Sequence, residues 1–289
     1  MKPSKSDMQF FDHPDGRLAF QDEGHGQSIV FVHGTPTSSE EYVGLFSRLK
    51  DSYRCIAIDH LGFGCSDKPM GADYSIESHT NRLSALLSHL SISSFHLVVH
   101  DFGGVIGLPL TSDSALSIRS LTIMNSWAWP LIETEPQMRS QLWILRSRLM
   151  DWLYLHMNFS PKVLLKMAWG THKPLTKEKH RTYQAPFRSP KERYGALAFK
   201  NTLLNFELPC WNNKDLARLS SLPVLLAWGM KDALVSPRNL DRWIDILPSA
   251  RVAKFEHVGH FVADEGEELL ASELRSFLKH VDNRNSYEF

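Results

Sequence analysis

The sequence VVHDFGG, residues 98–104, decides the fold of this chain. An apolar β-branched run leads into an acidic residue and a glycine pair, which predicts a buried strand that turns sharply into a helix. Such a turn, a nucleophile elbow, holds one side chain exposed at the end of the strand. Asp101 occupies that position, although Val99 stands where a glycine is usual. Asp is also a common N-cap residue, so helix capping is the alternative role for Asp101.

Apolar strand-like runs continue on both sides of the elbow, and each ends in a short polar or glycine-bearing turn. Because longer amphipathic stretches separate them, the pattern predicts an α/β fold with a mostly parallel sheet flanked by helices. In such sheets the functional side chains gather at the carboxyl ends of the strands. The clearest runs are residues 29–33, 55–59, 95–100, 120–124 and 223–228.

The strand pattern is interrupted by residues 127–212. This segment is rich in Trp, Leu, Met and Arg, and sequences such as MRSQLWILRSRLMDWLYLHM predict helices. The strand pattern resumes at Pro223. We therefore predict one α/β core formed by residues 1–126 and 213–289, with residues 127–212 inserted as a helical cap over the carboxyl edge of the sheet. A chain of two separate domains is the alternative.

Two further polar residues follow strand-like runs. Asp232 lies in WGMKD after the run at 223–228, and His260 lies in HVGHF after a run at 251–255. The chain order of Asp101, Asp232 and His260 is the nucleophile–acid–base order of α/β-hydrolases, which predicts a catalytic triad. Weaker rivals for the two later positions are His257, Asp241 and Asp245.

The turn HGTPT follows the run at 29–33, and its Gly and Pro allow a backbone N–H to point into the site. Together with the N–H of the residue after the nucleophile, this turn predicts an oxyanion hole formed by the backbone N–H groups of Thr35 and Phe102. His33 and His100 are predicted to be structural residues without a part in catalysis.

Five motifs carry a resemblance to a known family. HGTPTSSEEY, IDHLGFGCSDKP, VVHDFGG, WGMKD and VGHF occur in this order, and over nearly its whole length the chain resembles the haloalkane dehalogenase-like family of α/β-hydrolases. The resemblance implies an aspartate nucleophile at Asp101, an orienting acid at Asp232 and a general base at His260. The branch with its acid after the later strand is the most similar, because Asn125 stands at the end of the earlier one. Epoxide hydrolases and haloacetate dehalogenases share most of these motifs.

An aspartate nucleophile restricts the reaction. A carboxylate with a pKa of about 3.9 is ionised at neutral pH and needs no base to attack. Attack on a saturated carbon that bears a leaving group gives a stable alkyl ester on Asp101, which His260 hydrolyses by activating water. We therefore predict a hydrolase that cleaves a carbon–halogen bond in two steps. A small-molecule substrate and water are the expected partners, with no cofactor and no metal.

The leaving group separates the alternatives. Haloalkane dehalogenases hold the halide with N–H donors, one of them from a Trp directly after the nucleophile and another from an Asn of the HGNP-type loop or a Trp of the cap. Phe102 and Thr35 stand at the first two positions here, and Phe has no donor. The candidates for substrate or halide binding are therefore Trp143, Trp152, Tyr183 and Asn125.

Epoxide hydrolysis is the alternative reaction, and it needs an acid to protonate the alkoxide. Tyr154, Tyr183 and Tyr194 are the available tyrosines of the segment 127–212. A β-lactone-cleaving relative would use the same triad. A ligand-binding protein without catalytic activity is the last alternative, because a fold does not fix a function, but the complete triad argues against it.

The composition is that of an ordinary globular protein. The 289 residues are 43% hydrophobic, and Lys+Arg 32 balance Asp+Glu 32, so a nucleic acid partner is not expected. No apolar run reaches the ~18 residues of a membrane span, and a membrane partner is not expected either. Cys55, Cys65 and Cys210 are too scattered for a disulfide framework. A cytoplasmic location and a monomer or small homo-oligomer complete the expectations.

Overall fold

Eight strands form one sheet in the part of the chain that the computed structural model describes, residues 8–205, 211 and 213–285. The strands are β1 (Gln9–His13), β2 (Gly16–Glu23), β3 (Gln27–Val32), β4 (Tyr53–Ile58), β5 (Ser94–His100), β6 (Ser117–Met124), β7 (Val224–Gly229) and β8 (Arg251–Phe255). Their spatial order is β1-β2-β4-β3-β5-β6-β7-β8. The pairs from β4 to β8 are parallel, and β2 is antiparallel to both of its neighbours. The predicted α/β class is confirmed.

Helices connect the strands and cover the sheet. The helices are α1 (Val43–Leu49), α2 (Ile76–His89), α3 (Phe102–Gly107), α4 (Gln137–Leu145), α5 (Arg148–Met157), α6 (Leu165–Ala168), α7 (Lys177–Gln184), α8 (Tyr194–Leu204), α9 (Asn213–Leu219), α10 (Pro237–Ile246), α11 (Val262–Glu265) and α12 (Glu267–Asn285). A π-helical turn, Ser160–Leu164, runs directly into α6. Among the described residues, no helix is long and apolar enough to cross a membrane.

The central strands are buried on both faces, and this explains their unbroken apolar runs. Val98 and Val99 are neighbours in β5, yet they belong to two different core clusters. Successive side chains of a strand point to opposite faces of the sheet, so a strand covered on both sides needs apolar residues at every position. The five clearest runs overlap β3 to β7 for this reason, whereas the sixth overlaps β8, an edge strand with mostly exposed residues.

The first two strands do not stand out in the sequence. The strand β1 lies at the edge of the sheet, and most of its residues are exposed or half-buried. Its sequence, QFFDH, therefore has no continuous apolar run. A search for strands covered on both sides misses such a hairpin, because the physical requirement that it detects is absent at an edge.

The helices α4 to α8, here called the cap helices, lie between β6 and β7. Residues 125–205 contain no strand, and the inner faces of the cap helices join the core. Met150 and Tyr154 of α5 and Phe199 of α8 belong to the same core cluster as Phe102. The boundaries 127–212 stay a prediction, and residues 206–210 and 212 lie outside the described part of the chain.

Candidate active site

Asp101 lies at the turn between β5 and α3. Its backbone has φ 52° and ψ −126°, a conformation that residues other than glycine rarely adopt. Gly103 makes the turn possible, because a Cβ at this position would lie 2.0 Å from the carbonyl oxygen of Val32. The Ser126 hydroxyl donates to the Asp101 carbonyl oxygen at 2.6 Å. The Asp101 side chain makes no capping hydrogen bond to α3, so the capping alternative has no support.

The two carboxylate oxygens of Asp101 have different surroundings. Oδ1 accepts a hydrogen bond from the Thr35 N–H at 2.9 Å. Gly34 permits this approach, because a Cβ there would lie 2.1 Å from the same oxygen. Oδ2 lies 3.3 Å from Nε2 of His260. One oxygen therefore rests in the predicted N–H site, and the other faces the predicted base. The Phe102 N–H begins α3, where a helix provides no internal acceptor.

Asp232 holds the other side of the His260 ring. Its Oδ2 lies 2.6 Å from His260 Nδ1 and accepts a hydrogen bond from Asn125 Nδ2 at 2.7 Å. Its Oδ1 accepts the N–H groups of Leu234 and Val235 at 2.7 and 3.0 Å. Four groups thus fix the acid, and the structure brings the three predicted triad residues together.

Asn125 was a candidate for substrate binding, but its side chain is used elsewhere. Its Nδ2 donates to Asp232, and its Oδ1 accepts the Gly229 N–H at 2.8 Å. It is fully buried. Asn125 therefore orients the acid and does not face a substrate, which corrects that prediction.

The imidazole of His260 lies between two carboxylates. Burial lowers the pKa of His260, but the negative charges of Asp232 and Asp101 and their hydrogen bonds outweigh it and raise the pKa to about 10. At neutral pH this raised pKa keeps a proton on His260.

A second buried pair, Glu41 and His100, contacts the backbone of the loop that carries His260. His100 Nδ1 lies 3.0 Å from Glu41 Oε1, and its Nε2 lies 2.9 Å from the carbonyl oxygen of His260. Both partners are acceptors, so the ring satisfies them fully only when both nitrogens carry a proton. Burial raises the pKa of Glu41, but the charge and hydrogen bond of His100 outweigh it, and the pKa lies at about 2. His100 is thus structural, as predicted, but it positions the base loop.

We expect His100→Gln to destabilise the protein by about 3–5 kcal/mol, because it leaves the Glu41 carboxylate buried without a counter-charge. The double variant His100→Gln/Glu41→Gln should recover part of this loss. In the wild type, the contribution of the pair is fully present above the ordinary Glu pKa of 4.5 and is lost as the pH falls toward about 2. Urea unfolding of the wild type, His100→Gln, Glu41→Gln and the double variant from pH 7 to pH 3 measures both effects. Additive losses in the double variant would contradict the pairing.

The backbone of the base loop is attached to the cap helices. The His260 N–H donates to the carbonyl oxygen of Ala168, at the end of α6, at 2.8 Å. Glu265 is buried and accepts the N–H groups of Gly170 and Gly259 at 2.8 and 2.9 Å. A Cβ on Gly259 would lie 2.3 Å from the Ala168 carbonyl oxygen. The two segments therefore pack backbone against backbone.

The ring of Phe102 lies in an aromatic cluster. It stacks on Phe199 with 4.6 Å between ring centroids and contacts Trp127 edge-on at 5.3 Å. Two polar groups close to these residues, Trp127 Nε1 and Thr35 Oγ1, are buried and have no hydrogen-bond partner among the described residues. The sequence did not single out Trp127, because its aromatic neighbours are distant in the chain.

The other predicted substrate residues lie away from the triad. Trp143 is 77% exposed, and Trp152 is 49% exposed and stacks on His156. Both residues face solvent from helices whose inner sides are packed. This corrects their prediction as substrate- or halide-binding residues. The Tyr183 hydroxyl donates to Asp264 Oδ2 at 2.5 Å, so this residue is not available as an acid near Asp101.

Tyr154 is the cap tyrosine that lies in the core with Phe102. Burial and the negative charge of Asp101 raise the pKa of Tyr154, so the charge of the nucleophile acts on its hydroxyl.

In residues 8–205, 211 and 213–285, no group of three or more His, Cys, Asp or Glu is arranged to hold a metal ion.

The fold and this site define an α/β-hydrolase with an aspartate at the elbow. The chain belongs to the α/β-hydrolase fold family, whose sequence profile matches residues 27–267. The resemblance to the haloalkane dehalogenase-like group is confirmed by the relatives described next.

The curated relatives include proteins with two different activities in their names. A cis-3-alkyl-4-alkyloxetan-2-one decarboxylase of Shewanella oneidensis is 30% identical over 282 residues, covering 94% of this chain and 88% of that protein. A protein of the same name from Xanthomonas campestris is 31% identical, covering 92% and 93%. Haloalkane dehalogenase 2 of Mycobacterium bovis is 28% identical over 269 residues, covering 92% and 93%.

Solved structures of haloalkane dehalogenases are similar to this chain over nearly its whole length. An ancestral haloalkane dehalogenase superposes with a TM-score of 0.83 at 25% identity, covering 95% of this chain and 99% of that one. A loop variant of the haloalkane dehalogenase DbeA from Bradyrhizobium elkanii reaches a TM-score of 0.85 at 21% identity, covering 98% and 99%, and shows the shared fold.

Proposed function

We propose that this α/β-hydrolase cleaves a carbon–halogen bond through a covalent ester on Asp101. The proposal rests on the different contacts of the two carboxylate oxygens of Asp101. Oδ1 is held by the backbone N–H of Thr35 at 2.9 Å, whereas Oδ2 lies 3.3 Å from Nε2 of His260 and accepts no backbone N–H among the contacts of the described residues.

In the first step Oδ2 attacks the carbon that bears the halogen. The new C–O bond forms as the carbon–halogen bond breaks, and the halide leaves with the bonding electron pair. A carboxylate nucleophile needs no base for this attack, because an ordinary aspartate, with a pKa of about 3.9, is ionised at neutral pH. The buried Trp127 Nε1 and Thr35 Oγ1, which lack partners among the described residues, are the donors that support a halide site near the aromatic cluster.

In the second step water attacks Cγ of the ester. Oδ1 then carries the negative charge of the tetrahedral intermediate, and the Thr35 N–H already points at it. Ester formation removes the charge of Asp101, one of the two that hold the pKa of His260 at about 10. The pKa of His260 falls as a result, its proton passes to solvent, and the neutral ring takes a proton from the attacking water. The intermediate then collapses with cleavage of the Cγ–Oδ2 bond, so the alcohol leaves with Oδ2 and Asp101 becomes a carboxylate again.

A β-lactone is the second candidate substrate, because the two oxetan-2-one decarboxylases are 30% and 31% identical to this chain. Oδ2 would attack the saturated ring carbon that is bonded to the ring oxygen. This attack would open the lactone to an alkyl ester on Asp101 and a free carboxylate. Loss of CO₂ would then form the C=C bond and expel Asp101. This sequence consumes no water, which separates it from hydrolysis.

Single turnover in H₂¹⁸O tests the proposal. Hydrolysis at Cγ puts ¹⁸O into Asp101 and leaves the first alcohol product unlabelled. Brominated alkanes, haloacetates, epoxides and β-lactones should be compared, with halide, diol, alkene and CO₂ as products. Label in Asp101 with halide release supports the first candidate, and alkene with CO₂ and no label supports the second. Turnover with ¹⁸O only in the first alcohol would contradict the ester mechanism.

Replacing Phe102 by Trp should raise kcat/KM on bromoalkanes, because an indole N–H is added directly after the nucleophile. A buried hydrogen bond to a charged partner contributes about 1.5–3 kcal/mol, or roughly one to two decades in rate if it acts only in the transition state. Overpacking against Phe199 offsets part of this, by about 1–3 kcal/mol. Phe102→Leu, which adds no donor, is the control. A stable Phe102→Trp variant without any gain on bromoalkanes, beside a wild type that turns over lactones or epoxides well, would reject the dehalogenase reaction.

A further inference from the structure

Exposed apolar side chains are concentrated on the cap helices. Eleven large hydrophobic residues are exposed in the described part of the chain, and seven of them lie between positions 143 and 167. Trp143 is 77% exposed, Leu149 60% and Met167 61%. Seven exposed apolar side chains within residues 143–167 differ from the scattered single ones that need no explanation, and such a concentration indicates a site of interaction.

Basic residues are interleaved with these apolar ones. Between positions 137 and 167 there are five Lys and Arg residues and a single acidic one, Asp151. All five basic residues are exposed: Arg139, Arg146, Arg148, Lys162 and Lys166. Asp151 is paired with Lys200, so its charge does not cancel theirs. The segment is strongly positive, although the whole chain has no net charge.

Apolar and basic side chains share the same helical faces. On α5, Arg148, Leu149 and Trp152 are exposed on the side opposite to the buried Met150 and Tyr154. In the turn that leads into α6, Lys162 and Lys166 are one turn apart, as are Val163 and Met167, and all four are exposed. The inner side of α5 packs in the core with Phe102, so its outer side lies directly across the helix from the site.

We propose that this outer face of the cap helices docks the protein on anionic lipid bilayers. Exposed Trp, Leu and Met enter the boundary between headgroups and acyl chains, while Lys and Arg extend their stems along it and bind phosphate. Interfaces between proteins are rich in Trp, Met and Arg, as this face is, but they are depleted in Lys, and a positive charge with one paired acidic residue fits a continuous anionic surface better. The expectation of no membrane partner considered only a spanning segment and is revised here to peripheral binding.

Sedimentation of the full chain with vesicles tests the proposal. Vesicles of phosphatidylcholine with 30 mol% phosphatidylglycerol, roughly the charge density at which polybasic surfaces bind, should pellet the protein. Pure phosphatidylcholine should bind it much more weakly, and high salt should weaken binding to the anionic vesicles. Lys162→Gln/Lys166→Gln should lower the partition coefficient by on the order of 25-fold, about five-fold for each charge. Trp143→Ala/Trp152→Ala should lower it by at least about ten-fold.

Matched controls remove the same chemistry elsewhere. Lys254→Gln/Lys279→Gln removes two exposed charges outside the cap helices, and Phe10→Ala/Met70→Ala removes two exposed apolar side chains. Both controls should bind as the wild type does. Equal losses in controls and cap variants, or no binding to anionic vesicles, would overturn the proposal. A lipid-free dimer that Trp143→Ala/Trp152→Ala converts to a monomer would show that this face binds a second copy instead.

Discussion

His260→Gln is expected to stop the reaction after the first step and to accumulate an alkyl ester on Asp101. Attack by Oδ2 does not need the imidazole, whereas water attack on the ester does. Gln retains polarity near the site but cannot accept the proton of water at neutral pH. After incubation with a bromoalkane, the intact mass should rise by one alkyl group, and peptide mapping should place it on the peptide that contains Asp101.

The double variant Asp101→Ala/His260→Gln is the matched control, and it should show no adduct. Absence of an adduct in His260→Gln, when the bromoalkane binds and the wild type releases bromide, would rule out the covalent mechanism or His260 as the base. With a β-lactone, continued release of CO₂ by His260→Gln would favour the second candidate, because that reaction needs no activated water.

Asp232→Asn is expected to slow ester hydrolysis by about 10⁴, the loss measured for the same change in a serine protease triad. The amide can present an N–H to His260 Nδ1 and so stabilise the wrong tautomer, although Asn125, Leu234 and Val235 still surround the position. It also removes one of the two charges that raise the pKa of His260. Single-turnover kinetics should show alkylation near the wild-type rate and a much slower second phase.

Asp245→Asn is the appropriate control for this variant. Asp245 is exposed on α10, carries the same side chain and was a rival candidate for the acid. Its replacement should leave both phases unchanged. If Asp232→Asn hydrolysed the ester at the normal rate, the acid would lie elsewhere, and the neighbourhood of Asn125 would be the next place to examine.

The parts of this site that the sequence predicts are those that depend on the end of a strand. Asp101 and Asp232 follow buried strands, and His260 follows β8 at the edge of the sheet. Parallel strands bring such ends to one edge. Thr35 is predictable for the same reason. Burial on both faces therefore makes the central strands, Asp101 and Asp232 predictable, whereas His260 is predictable from a less buried strand-like run.

Helical orientation in the cap is not predictable in this way. Tryptophan is a residue type that often lines pockets, so Trp143 and Trp152 are reasonable candidates from the sequence. However, α4 and α5 are short and carry apolar residues on most sides. Their periodicity does not say which side packs inward, and the structure leaves both residues at the surface. The Glu41–His100 pair is equally unpredictable, because its members are 59 positions apart and meet only when the 3₁₀ turn Ser39–Tyr42 lies beside the end of β5.

The contact between Ala168 and His260 limits how the cap can be exchanged between related enzymes. A transplanted cap would have to reproduce the carbonyl at Ala168 and the glycine at Gly170, since the backbones there leave no room for a side chain. A chimaera of a foreign cap and this core that lacks the backbone contact between Ala168 and His260 would misplace the imidazole, even if every residue of the triad were retained. Substrate preference can therefore diverge freely on α4 and α5, while the stretch after α6 has to change together with the loop that carries the base.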